Sequence, residues 1–337
     1  MAIRIAVDAM GGDNAPGDIV RGCADFMDSG SEGAGAVIIL VGDEGRIAAE
    51  LLKCGYDNEK RAGKFEIIHA PGILGYGDSP VIMVREGKDT SLVTGLRLLK
   101  EGGAGAFVSA GNTGALLAGA TLLVGRIRGI ERPALGTLLP NETGGRTLLI
   151  DSGANAECKP QYLVQFAQMG AVYLEHMLGV KNPRVGLVNI GTEREKGNAL
   201  VKEAYGLLEQ AGVNFAGNLE AGGIPHGLAD VAVCDGFVGN VILKHAEGFS
   251  KAMFSMIKKS LLSSLSGKVG AVFAKPSLSR MRNTLDPSEV GGAPLIGLSG
   301  LVVKAHGGSN ARAIFNALRQ CRLFIEKDIV GKISEKV

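Results

Sequence analysis

Tryptophan is absent from this 337-residue chain, and aromatic residues make up only 5% of it. So little aromatic surface argues against a stacking cleft for sugars or nucleic-acid bases. The five cysteines, Cys23, Cys54, Cys158, Cys234 and Cys321, are odd in number, widely scattered and never in CxxC spacing. That pattern speaks against a disulfide framework or a zinc site and suits a reducing cytoplasm. The N-terminus, MAIRIAVDAMGG, runs straight into a strand pattern with no basic head and long apolar stretch, so no signal peptide is expected. Nor does any run reach the roughly 18 apolar residues of a spanning helix.

Familiar cofactor signatures are missing as well. No GxGxxG follows the first strand; DAMGGDN, from Asp8 to Asn14, would set two carboxylates against a pyrophosphate. GxxxxGK[ST], HExxH and close His/Cys ligand spacings do not occur, so neither a cofactor nor a metal is expected. FVSAG, from Phe107 to Gly111, nearly matches the GxSxG elbow of serine hydrolases but lacks its first glycine, and no base declares itself. His69, His176, His226 and His245 stand in ordinary contexts; His306, in KAHGGSNA before a helix, is the best functional candidate among the histidines.

What the chain does have is 46% hydrophobic residues, enough for a large core, and 51 glycines, enough for many tight strand-to-helix turns. Strands are predicted at Ile3 to Asp8, Ala36 to Gly42, Phe65 to His69, Ala106 to Ser109, Thr147 to Asp151, Arg184 to Ile190 and Asp230 to Cys234. Helical patterns lie between them, at Asp89 to Glu101, Thr113 to Leu123, Pro160 to Leu178 and Glu195 to Ala211. Such alternation predicts a single α/β domain over residues 1–337, with a mostly parallel sheet covered on both faces. The stretch from Leu285 to Gly300 reads as irregular, and a last helix is expected from near Ser309, which can cap it.

Five strands end in polar, Gly-rich turns: DAMGGDNAP, SAGNTGA, DSGANAE, NIGTEREKGN and DGFVGN. Ligands of open α/β sheets gather at carboxyl strand ends, so the five turns predict a shared cleft. In SAGNTG the backbone donors over a helix N-terminus favour an anion, while Asn112 or Thr113 can also simply cap the helix. Lys196, at the start of another helix, can neutralise a phosphate or an oxyanion, or belong to a solvated ion-pair network. Asn240 is costly in an apolar helix unless it has a partner.

The formal charge is +2, yet Lys251 to Arg282 holds seven Lys or Arg and no acid, leaving −5 for the rest. Phe254, Ile257, Leu261 and Leu265 recur at helical spacing, and Ser266-Gly267-Lys268 breaks the pattern before Val269, Val272 and Phe273. Residues 251–282 therefore read as a basic amphipathic helical hairpin. Its partner is an anionic surface or a second subunit. Nucleic acid is not expected, because only Phe254 and Phe273 could stack.

Assembled in order, DAMGGDNAP, SAGNTGA, DSGANAECKP, NIGTEREKGN, DGFVGNVILK and GGAPLIGLSGLVVKAHGGS resemble PlsX-type phosphate acyltransferases along almost the whole chain. The resemblance implies a homodimer with a three-layer α/β/α fold similar to isocitrate and isopropylmalate dehydrogenases and to phosphate acetyltransferases. It implies transfer of a long-chain acyl group from acyl carrier protein to inorganic phosphate, for a downstream membrane glycerol 3-phosphate acyltransferase. On that basis Lys196, Asn240 and Asn112 are assigned to catalysis. Ser109, Thr113, Asn155, Asn189, Asn198 and His306 are assigned to substrate binding, with Ser109 or Cys158 as nucleophile in a covalent variant. Lys258, Lys259, Leu261, Leu265 and Lys268 are assigned to contact with the membrane or the carrier protein, in an enzyme that is cytoplasmic and peripherally membrane-associated. The alternatives are a nicotinamide-dependent dehydrogenase of the same fold and a non-enzymatic lipid-binding protein.

Overall fold

The structure, a computed structural model, describes residues 3–72 and 89–337, with Val81 between them. Its strands are β1 (Ile3–Asp8), β2 (Ala36–Gly42), β3 (Phe65–His69), β4 (Ala106–Ser109), β5 (Ala134–Pro140), β6 (Arg146–Ile150), β7 (Arg184–Asn189), β8 (Asn214–Glu220), β9 (Val231–Val233), β10 (Ala293–Ile296) and β11 (Leu301–Lys304). Its helices are α1 (Gly17–Asp28), α2 (Glu44–Lys53), α3 (Asn58–Arg61), α4 (Ser91–Lys100), α5 (Thr113–Gly119), α6 (Pro160–Leu178), α7 (Ala199–Leu208), α8 (Gly236–Leu262), α9 (Leu265–Leu285), α10 (Ala311–Glu326) and α11 (Ile329–Lys336). A π-helical turn, Ala120–Val124, continues α5.

All these strands join one sheet in the order β3-β2-β1-β4-β11-β10-β5-β6-β9-β7-β8. β3, β2, β1, β4 and β11 are parallel neighbours, and so are β6, β9, β7 and β8. Between the two sets, the pairings β11–β10, β10–β5 and β5–β6 are antiparallel. Three reversals leave the second set running opposite to the first. One face is covered by α1, α6 and α10, whose Phe26, Phe166, Tyr173 and Phe324 pack with Ile5, Val108, Ile150 and Val185. On the other face, α4 and α5 cover Ala6, Phe107 and Val302, while Val238, Ile242 and Leu243 of α8 pack over Leu149 and Ala232. The mostly parallel, three-layer expectation holds.

The seven predicted strands are all present within a residue at either end. β5, β8, β10 and β11 lie outside those predictions. Gly136, Gly217 and Pro294 interrupt the β pattern of three of them, and β11 is only four residues long. The helix predicted from Glu195 starts at Ala199, because Asn198 caps it by accepting from Val201 N–H at 3.1 Å. Asn310, not Ser309, caps α10, through Ala313 N–H.

The hairpin also differs in detail. Its chain reversal falls at Ser263-Ser264, where the Ser264 hydroxyl caps α9 by accepting from Gly267 N–H at 3.0 Å. Ser266-Gly267-Lys268 is therefore helical, and Leu265 opens α9 instead of sharing the α8 face of Phe254, Ile257 and Leu261. Among the described residues of α9 none is buried, and Leu265 and Phe273 are 82% and 81% exposed. Among the described residues, no helix is long and apolar enough to cross a membrane.

Candidate active site

The two strand sets run in opposite directions, and the polar turns fall into two clusters, each at the ends of three adjacent strands. Ser109, Asn112, Thr113 and His306 belong to the ends of β1, β4 and β11. Asn155, Asn189, Lys196, Asn198 and Asn240 belong to the ends of β6, β9 and β7.

In the first cluster, strand register sets Asp8, Ser109 and Lys304 side by side as the last residues of β1, β4 and β11. Their strands present Ala6, Phe107 and Val302 to the α4/α5 layer, and alternation brings these three residues to the same face. The Ser109 hydroxyl donates to Asp8 Oδ2 at 2.7 Å and accepts from Gly111 N–H at 3.0 Å. Asp8 Oδ1 accepts from Met10 N–H at 3.2 Å. Burial pushes the Asp8 carboxyl above its ordinary range, against the pull of these donors. The turns themselves interlock: Asp13 N–H donates to the Gly307 carbonyl at 2.9 Å. Gly12, at φ +105°, passes so close that a Cβ would sit 2.9 Å from that oxygen.

Around this row, Asn112 caps α5 through Oδ1, which accepts from Ala115 N–H at 3.0 Å and leaves its amide nitrogen facing outward among exposed residues. Thr113 is exposed beside it. His306 Nδ1 accepts from Gly308 N–H at 3.1 Å, so the neutral ring carries its proton on Nε2.

The second cluster is built on Asp151. Its Oδ1 accepts from the N–H groups of Leu135, Gly153 and Ala154 at 2.9 to 3.1 Å, and its Oδ2 from the backbone and side-chain nitrogens of Asn155 at 2.7 and 2.9 Å. Burial nonetheless pushes its carboxyl up. Asn155 also donates to the Pro133 carbonyl at 2.8 Å, which commits its amide to holding the turn. Asn189 closes its own turn on Ile190 N–H and the Lys196 carbonyl. Lys196 is exposed and, among the described residues, forms no ion pair.

α8 ties the clusters together. Asp235 caps it, Gly236 and Gly239 seat it on Asp151 and Asn155, and Asn240 lies beside Gly153. One turn further, Lys244 is close enough for its charge to act on Lys304.

Three groups escaped the sequence reading. Asp8 and Asp151 were seen only as turn residues. Lys304 ends β11 and is 8% exposed, with burial lowering its pKa to about 8. In sequence it is an ordinary lysine after two valines; its burial comes from pairing with β4, nearly two hundred residues away.

An α/β/α sheet with glycine-tight polar turns and solvent-facing amide and ammonium donors suits transfer of a group between anionic or carbonyl partners. The fold is that of phosphotransacylases. The chain aligns with a phosphotransacetylase from Streptococcus pyogenes at TM-score 0.65 and 19% identity, over 96% of this chain and 94% of that one. It aligns with the EutD phosphotransacetylase from Staphylococcus aureus at TM-score 0.60 and 16% identity, with the same shares covered. Sequence is more specific: residues 3–332 match the family described as fatty acid synthesis protein. The chain is 47% identical over 333 residues to the phosphate acyltransferase of Clostridium acetobutylicum, covering 99% of this chain and 98% of that relative. The phosphate acyltransferase of Alkaliphilus oremlandii is also 47% identical, over 335 residues that make up 99% of this chain and 97% of the relative. The chain belongs to this phosphate acyltransferase family and is an acyltransferase.

Proposed function

We propose that the enzyme moves a long-chain acyl group from the thiol of acylated acyl carrier protein directly to inorganic phosphate, releasing an acyl phosphate for phosphatidic acid and phospholipid synthesis. The observation that carries this reading is the state of the two nucleophile candidates. Ser109 is buried, and its hydroxyl is committed to Asp8 and Gly111. Burial pushes the half-buried Cys158 thiol up to about 12, so almost none of it is thiolate at neutral pH. Phosphate needs no such activation, since it arrives as an anion. The thioester's C–S bond also breaks without acid, because its leaving group is a thiolate whose thiol has a pKa of about 8.5.

The work left to the protein is to hold the dianion beside the carbonyl and to stabilise the oxyanion. Lys196, Asn240 and Asn112 are the groups we assign to that task. Thr113, Asn198 and His306 contribute to substrate binding, while Ser109, Asn155 and Asn189 shape the turns. Losing one oxyanion donor costs about 3 kcal/mol, more than a hundredfold in rate. The test is release of free carrier thiol with added phosphate and no nucleotide. Lys196→Ala is expected to slow it by that factor; near-full turnover would remove Lys196 from the chemistry. Acyl-enzyme accumulating without phosphate, seen by mass spectrometry, would replace direct attack by the covalent route.

In this reading the enzyme acts as a homodimer, a single-domain relative of the isocitrate and isopropylmalate dehydrogenase fold. It works in the cytoplasm at the membrane surface, beside a membrane glycerol 3-phosphate acyltransferase. The exposed apolar residues of α9, with Lys258, Lys259 and Lys268 around them, support a lipid contact.

A further inference from the structure

Lys304 is a buried ammonium. Among the described residues it forms no ion pair, and its amine donates only to the neighbouring Ala305 carbonyl. The nearest carboxylate in its row, Asp8, is occupied by Ser109 and Met10 N–H. Among the described residues, Asp8 and Asp13 favour the protonated form of Lys304, and the charge of Lys244 on α8 opposes it. A buried charge is costly unless it is paired, so a lysine kept there without an ion-pair partner among the described residues points to an anion from outside.

A second orphan lies close by in sequence. The Ser309 hydroxyl is buried with no hydrogen-bond partner among the described residues, in the turn that runs from Lys304 to α10. Lys244 is half exposed and only loosely held by Glu247, at 3.6 Å, so it is free to turn towards a ligand. One helical turn, about 6 Å along the axis, separates it from Asn240, the donor assigned to the acyl carbonyl.

We propose that the acceptor phosphate sits over the carboxyl ends of β1, β4 and β11, with Lys304 as its buried cation and Lys244 closing it from α8. This rests on the acyl-transfer reading and completes it: the nucleophile lies on the Lys304–Lys244 side and the thioester carbonyl one turn away at Asn240. Asp13, exposed beside Gly307 and Gly308, bounds the site on the other flank by repulsion.

The sign of the accompanying proton change follows from the lysine. Without ligand its pKa is lowered to about 8 by burial and by Lys244. A bound dianion favours the charged form and raises that value, so near pH 8.5 phosphate binding takes up a fraction of a proton.

The experiment pairs steady-state thiol release with calorimetry of inorganic phosphate on the full-length protein, in two buffers of different ionisation enthalpy. Lys304→Met is expected to raise the KM for phosphate about tenfold or more, the loss of one charged hydrogen bond, with the KM for acylated carrier protein unchanged and proton uptake abolished. Lys244→Met, a surface change that leaves folding intact, is expected to raise the phosphate KM by a few-fold, about the effect of one partly exposed charge. A folded Lys304→Met enzyme with wild-type phosphate KM overturns the proposal. If that variant does not fold, a wild-type protein that takes up no proton, together with an unaltered Lys244→Met, overturns it equally. Phosphate binding with proton uptake but no thiol release would keep the site and defeat the acyl-transfer reading instead.

Discussion

At the scale of single residues, the polar groups divide into those that hold turns and those that face solvent. Asp151 is the clearest holder, since five N–H donors from four residues converge on one carboxylate. Asp151→Asn keeps the shape but sets an amide N–H against a row of donors. Leaving buried donors unsatisfied costs about 1 to 3 kcal/mol, so the variant is expected to unfold at lower denaturant with an unchanged slope. An unaltered midpoint would mean that the turn is held by something other than these bonds. The sequence made Asn155, Asn189 and Ser109 visible as polar turn residues without distinguishing roles, because a hydrogen-bond donor looks the same whether it is spent inside the fold or kept for a ligand. The burial of Lys304 beside Asp8 was invisible for a related reason: only the register between distant strands brings them together.

Elements were far more legible than their partners. β1, β2, β3, β4, β6, β7 and β9 announce themselves through apolar runs that end in polar or glycine-rich turns, whereas β10, with Pro294 inside it, and β11 follow each other closely in a turn-rich stretch that hides both. The direction of the second strand set depends on those unread pairings, so the division of the turns into two clusters was not legible in the sequence. α8 bridges them, and its seat has no room to spare. A Cβ on Gly239 would overlap the Asp151 carbonyl oxygen and lie 3.0 Å from Cys234 Sγ. Overpacking of this kind costs about 1 to 3 kcal/mol. Gly239→Ala is therefore expected to lower stability by that amount and to cut turnover further, since the first turn of α8 must shift and Asn240 shifts with it. Normal kcat in a destabilised Gly239→Ala enzyme would show that the position of Asn240 is not critical.

For the whole molecule the question is how a chain with a nearly balanced charge would make the lipid contact proposed for it. All seven cations of residues 251–282 sit on α8 and α9, while the remainder of the chain is mildly acidic. In the proposed contact that polarity would orient the hairpin towards an anionic bilayer and turn the body away, each cation near the surface contributing roughly 1 kcal/mol. The apolar part of the contact follows from the observed break at Ser263-Ser264. Leu265, Val269, Val272 and Phe273 are the most exposed apolar groups of the hairpin, ahead of Met256, Leu262 and Met281, whereas Leu261 is half-buried. Burying one such side chain contributes about 1.5 to 3 kcal/mol, so Leu265→Glu with Phe273→Glu removes several kcal/mol of membrane affinity. In sedimentation with vesicles of anionic phospholipid, the double variant is expected to stay in the supernatant while Leu261→Glu still pellets. Because the strand-end clusters are untouched, thiol release with soluble acylated carrier protein is expected to remain at the wild-type rate. Pelleting of the double variant at the wild-type level would assign the apolar face of α9 to a second subunit, and a fall in thiol release would assign it to the carrier protein.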